Sequence, residues 1–232
     1  MYRLLPLLLL LNACEKSDTQ DTEAGQILAR AIAYHDPDGR WSTFDETIVM
    51  GQGDRRDTLT IDLPGDYFHF TNGAEQLTVD GDRCSGDYID RGTQERTTVA
   101  DTALDSEACA RPRLMRDYHT YLTGLPMKLR DPGTPLKPTV ERTEFHGTDY
   151  LMLTVNYPKE GGTTETWNFF FNPVTHALGA YQFYRSDKPE GGEYLLLDGE
   201  IEVNGIKLIK ERAWFYREND RHLATDVLIE VL

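Results

Sequence analysis

The sequence predicts an α+β protein: a strongly curved antiparallel sheet wrapped around two helical segments. Three observations carry this. Strand-like stretches follow one another at regular spacing from Lys137 to the C-terminus, separated by turn residues. Large rings occupy both faces of single strands, so the sheet needs cover on both sides. Two stretches with helical apolar spacing are each too short to stand alone and must lie on something.

The chain opens with Met1-Tyr2-Arg3, Leu4-Leu5-Pro6 and five further leucines, Leu7 to Leu11. A helix of eight residues rises only about 12 Å, far short of the roughly 30 Å hydrocarbon layer, so this run is no transmembrane span. A charged start, a brief apolar core and small residues make a secretion signal over 1–13. Leu11-Asn12-Ala13-Cys14 has the form of a bacterial lipobox, in which Cys14 is acylated; the alternative is an ordinary signal with an incidental cysteine. Residues 15–22 carry no apolar side chain and read, with Cys14, as a lipidated tether over 14–22. A single domain then spans 23–232.

Helical spacing of Ile27, Ala31 and Tyr34, and of Leu28 and Ile32, predicts a helix over 24–35, stopped by Asp36-Pro37-Asp38-Gly39. Leu59, Ile61 and Leu63 alternate with polar residues; Tyr67, Phe68 and Phe70, then Leu77 and Val79, continue the strand pattern around Thr71-Asn72-Gly73. Residues at about 80–110 are acidic and poor in large apolar groups, which predicts a long ordered loop. Cys84 and Cys109 sit near its ends. Without Cys14 they are an even pair in an oxidising compartment, so a disulfide is expected, against two unrelated buried thiols. A second helix is expected over 113–122. The strands beyond are 150–157, 164–171, 178–185, 192–203, 206–217 and 224–232, with Asn204-Gly205 as the strongest hairpin signal. Short connections make the series an antiparallel meander. Trp167, Phe169 and Phe171 share one face and Phe170 lies on the other; Trp214 and Tyr216 oppose Phe215.

The segments AIAYH (31–35), YLTGLPMKLRDPG (121–133), YPKEGGTTETWNFFFNPVTHALGAYQFY (157–184) and VNGIKLIKERAWFY (203–216) resemble an uncharacterised family of bacterial lipoproteins of the Bacteroidetes type. That family is similar in outline to the LolA-like lipoprotein-carrier fold. The resemblance implies a half-open β-barrel with two helical segments on the concave face and an apolar cavity able to hold acyl chains. It brings no catalytic residues, and the Cys84–Cys109 loop departs from it.

The 39 acidic side chains against 24 basic ones, a formal charge of −15, exclude sequence-independent nucleic-acid binding, which needs cations to neutralise phosphates. No Gly-x-Ser-x-Gly, phosphate loop, dinucleotide turn or paired-histidine zinc motif is present. Asp80-Gly81-Asp82 starts like a calcium loop but fails at later positions, leaving Asp82, Asp87 and Asp90 as a weak candidate cluster. His35 and His119 read as satisfied packing residues. No catalytic residue, metal site or cofactor is therefore expected.

The expected role is that of a membrane-anchored envelope lipoprotein, attached through N-terminal acyl chains, outer-membrane in location and holding a lipid or other apolar ligand. The alternatives are an anchored protein-interaction module with a packed core, docking another envelope protein, and a hydrolase with an unrecognised site. A cavity of several hundred Å³ separates the first two. Its candidate lining residues are Tyr34, Tyr118, Trp167, Tyr181 and Trp214, with helices 24–35 and 113–122 as its lid.

Overall fold

The computed structural model describes residues 21–90, 92–159 and 162–232. The expected signal over 1–13, Cys14 and most of the tether lie outside the described residues. Thr22, at the end of the expected tether, is the N-cap of helix α1 (Glu23–His35), its Oγ1 accepting from the Gly25 N–H at 3.0 Å. Ala24, Ile27, Leu28, Ala31, Ile32 and His35 form the buried stripe of α1. Beyond it, the carboxylate of Asp36 accepts from the N–H groups of Arg40 (2.7 Å) and Trp41 (3.0 Å), closing the turn that ends the helix.

Six strands follow: β1 (Asp45–Gln52), β2 (Arg55–Asp62), β3 (Tyr67–Thr71), β4 (Gln76–Asp80), β5 (Arg83–Ile89) and β6 (Arg96–Ala103). Helix α2 (Ala110–Thr123) comes next, and then β7 (Glu141–Phe145), β8 (Thr148–Pro158), β9 (Thr164–Phe171) and β10 (Leu178–Arg185). Strands β11 (Lys188–Val203), β12 (Ile206–Tyr216) and β13 (His222–Val231) complete the chain. Among the described residues all thirteen strands form one antiparallel sheet, in the order β6-β5-β4-β3-β2-β1-β13-β12-β11-β10-β9-β8-β7. Two meanders are thus joined where β1 pairs with β13, Ile48 opposite Val231, through a bulge at Val49/Met50. The sheet is not closed: β6 and β7 are its edges. This is the expected α+β architecture, a half-open barrel with helices inside.

The topology explains where α2 lies. The chain must travel from β6 at one edge to β7 at the other, and α2 with residues 124–140 makes that crossing on the concave side. The Asn204-Gly205 turn is as expected, with φ of 50° and 83°, the left-handed pair of a tight hairpin.

The segment 80–110 is corrected: it is no loop but the β5–β6 hairpin followed by a short helical turn, Glu107–Cys109. Cys84 and Val99 point inward and are buried while most neighbours stay polar. Edge strands need only one thin apolar face, so they carry little of the pattern that marks a central strand. The sequence singles out no strand over β1, and β7 is not among the individual strands it delimits beyond Lys137. The disulfide is present, Cys84 on β5 to Cys109 just before α2, with Cα atoms 6.0 Å apart.

Rings do occupy both faces of the sheet, and the second face has its own cover. The tip of the β7–β8 hairpin folds over it. There Phe145 stacks on Phe170 at 4.2 Å and His146 on Tyr194 at 4.5 Å, while Tyr194 stacks on Phe215 at 5.0 Å.

Candidate functional site: a cavity between two arms of the sheet

Two arms of the sheet, β2–β3 and β8–β9, face each other across the opening, with α2 between them. They enclose a cavity of about 650 Å³. Ile61 and Phe68 line it from one arm, Tyr157 and Trp167 from the other, Leu114, Tyr118 and Tyr121 from α2, and residues 131–134 complete the wall. The spacing 114, 118, 121 is one face of a helix. Leu114 and Tyr118 are 59% and 42% exposed, large apolar groups left uncovered because they face this space. Acidic and basic groups (Asp62, Asp66, Asp117, Lys128, Glu165) also line the cavity. The Trp167 Nε1–H donates to Glu165 at 2.7 Å, which fixes the indole against the wall. The hydroxyls of Tyr121 and Tyr157 are 3.1 Å apart, and burial raises the pKa of both, so both stay protonated.

A smaller cavity of about 290 Å³ lies on the other side of Tyr118 and Leu122, which wall both spaces. Its walls mix charged and apolar groups. Arg55, Asp57, His119, Glu193, Arg212 and Asp226 line it, together with Trp214. Asp57 pairs with Arg55 at 3.0 Å. Asp226 accepts from Gln52 (2.7 Å) and from the Trp214 indole (2.8 Å). Burial raises the pKa of Asp57, with Arg55 opposing it, and raises that of Glu193. His119 lies parallel to the rings of Phe70 (5.3 Å) and Phe68 (6.3 Å), and burial takes its pKa down to about 3.

The sequence matches a family of unknown function, DUF6503, over residues 4–231. The chain belongs to that family. No curated protein matches it. Among solved structures it is similar to a LolA superfamily protein from Nitrosomonas europaea, at 9% identity and a TM-score of 0.48, covering 90% of this chain and 92% of that one. It is also similar to a domain from Vibrio parahaemolyticus provisionally described as an outer membrane lipoprotein-sorting protein. There the identity is 11% and the TM-score 0.47, over 90% of this chain and 92% of that one.

Of the five lining residues expected from the sequence, Tyr118 and Trp167 line the large cavity, and Tyr118 with Trp214 the small one. Tyr34 and Tyr181 line neither. Tyr34 lies one residue, about 100° of helix, from the buried His35; it turns outward, donates to Glu200 at 3.1 Å and lies under Lys207 Nζ, 3.8 Å from the ring centre. Tyr181 is on the concave face but fully buried, between Trp167 and Phe169 at 6.0 Å each. The expected two-helix lid is corrected as well: no residue of α1 lines the large cavity, because α1 fills the barrel beside β12 while α2 alone makes the crossing. Asp82, Asp87 and Asp90 do not form a metal cluster among the described residues. Asp87 pairs with Arg96 at 2.6 Å, and Asp90 accepts from the N–H groups of Gly92 and Thr93.

Sequence reasoning missed Tyr157 and the charged residues of the small cavity. Arg212 and Asp226 were legible as inward positions once β12 and β13 were placed, since Arg212 lies two residues from Trp214 and therefore on its face.

Proposed function

We propose that this protein holds an acyl chain or similar apolar ligand in the cavity between α2 and the β2–β3 and β8–β9 arms. The observation that carries the reading is a mostly apolar space of about 650 Å³ in which Leu114 and Tyr118 stand uncovered. That volume is within the range of small-molecule sites, roughly 300–1,000 Å³. A packed interaction module would have no such void. Covering these groups is worth about 25 cal/mol per Å² of apolar surface before ordering costs.

The leader over 1–13 and Cys14 support an envelope location in which acyl chains on Cys14 anchor the protein to a membrane, the outer membrane in this reading. Two or more chains anchor stably where one binds reversibly. Cys14→Ser should move the protein from the membrane to the soluble fraction; retention after signal removal would end the anchoring proposal.

The test of the cavity is a titration with a monomeric fatty acid ester, followed by tryptophan emission. Trp167 lines the space, so emission should change saturably, and the change should shrink in Trp167→Phe. A flat titration, with no competition for an environment-sensitive apolar dye, would refute the reading.

A further inference from the structure

The small cavity identifies the other end of the ligand. Arg212 is 5% exposed and donates through Nη2 to the Leu122 carbonyl at 3.2 Å, near the C-terminal end of α2. No carboxylate of a described residue forms an ion pair with it. Two buried atoms of residues that line the same space have no hydrogen-bond partner among the described residues: Oδ1 of Asp57, a residue 7% exposed, and His119 Nε2. Buried polar groups without partners are costly, and each such atom calls for an explanation.

The walls carry two guanidinium groups and three carboxylates, so neither sign of charge dominates. Asp226 lies opposite Arg212 in the β12–β13 register, its carboxylate accepting from Gln52 and the Trp214 indole. A net anion would meet Asp57, Glu193 and Asp226; a net cation would meet Arg55 and Arg212. What suits the space is an uncharged group that donates and accepts at once, which is the chemistry of hydroxyls. The space adjoins the apolar cavity across Tyr118 and Leu122.

We propose that the ligand is an uncharged amphiphile with a hydroxyl-bearing head, such as a monoacylglycerol. Its chain lies in the large cavity and its hydroxyls reach past Tyr118 to Arg212 and Asp57. This rests on the reading of the large cavity as an acyl-chain site.

The test compares three probes of equal chain length below their micellar concentrations, bound to the intact protein: a monoacylglycerol, the methyl ester and the fatty acid anion. The monoacylglycerol should bind about tenfold tighter than the methyl ester, the size of one well-placed buried hydrogen bond. That preference should fall towards unity in Asp57→Leu, which removes the acceptor, while the affinity for the methyl ester stays close to that of the wild type. Equal binding of all three overturns the head assignment and leaves the acyl-chain reading standing. Tightest binding by the anion overturns it in favour of Arg212 as an anion receptor. Binding of none removes the acyl-chain reading itself, and the head assignment with it.

Discussion

His35 is held by two backbone groups that make opposite demands on its ring. Nδ1 lies 2.9 Å from the Lys207 carbonyl and must donate; Nε2 accepts from the Leu178 N–H at 3.0 Å and must carry no proton. Only the neutral Nδ1–H tautomer satisfies both. Burial of this fully enclosed ring lowers its pKa below the ordinary 6.5, against the raising effect of the Lys207 carbonyl. Because the folded value is depressed, the contribution of the neutral ring is complete above about pH 6.5 and is lost as pH falls from there through the folded value. His119, held down to about 3, adds a dependence of the same sign. His35→Gln offers a donor and an acceptor without titrating. It should cost about 1–3 kcal/mol at pH 7 and leave a visibly shallower fall in unfolding free energy between pH 7 and 5. A slope equal to that of the wild type would show that His35 is not the group being protonated.

Helix α2 is fastened at its start. The Cys84–Cys109 bond ties the residue before it to β5, and Arg111 makes a two-pronged contact with Glu75 at 2.7 and 3.0 Å, both side chains largely buried. With the cysteines 25 positions apart in the chain, removing the bond should cost about 3.5 kcal/mol on the chain-entropy account. Urea unfolding of a Cys84→Ala, Cys109→Ala double variant measures this; a loss under about 1 kcal/mol would mean that the Arg111–Glu75 contact and the helix's apolar face seat it alone. How well each element reads from sequence follows from such surroundings. Strands β9 and β10 lie where expected to the residue, because they are central strands whose large rings are bounded by Asn172-Pro173 and Gly161-Gly162. The β5–β6 hairpin does not, since two strands at the sheet margin whose buried marks are Cys84 on β5 and Val99 on the edge strand β6 resemble an acidic loop. Tyr34 belongs to the same lesson. Helical spacing shows that a stripe exists, but packing against β12 decides that its edge falls at His35 rather than one residue earlier. The cavity residues Tyr157 and Ile61 meet only because distant strands are brought face to face by the curl of the sheet, which no local pattern records.

The curl also makes the two arms unequal partners of α2. The helix packs on β3, β4 and β5 and is bonded covalently to that arm, so the two move together. Against the other arm it makes the Tyr121–Tyr157 hydroxyl contact at 3.1 Å and an edge contact of Tyr121 on Trp167 at 5.6 Å. The weaker seam is therefore the one beside β8 and β9, and on the proposed function it is the expected entrance to the large cavity. Opening along this line breaks one hydrogen bond and a few ring contacts while the sheet ladders stay intact, which places it among local motions rather than unfolding. Tyr121→Phe keeps the ring and removes its hydroxyl, so the closed state should lose about 1 kcal/mol relative to the open one. Stopped-flow release of a bound apolar dye should then run about fivefold faster than in the wild type, with the unfolding midpoint little changed. Tyr34→Phe, whose hydroxyl bonds Glu200 and whose ring lines neither cavity, serves as the control. Equal release rates in Tyr121→Phe and wild type would place the entrance elsewhere, and the disulfide-linked arm would become the side to examine.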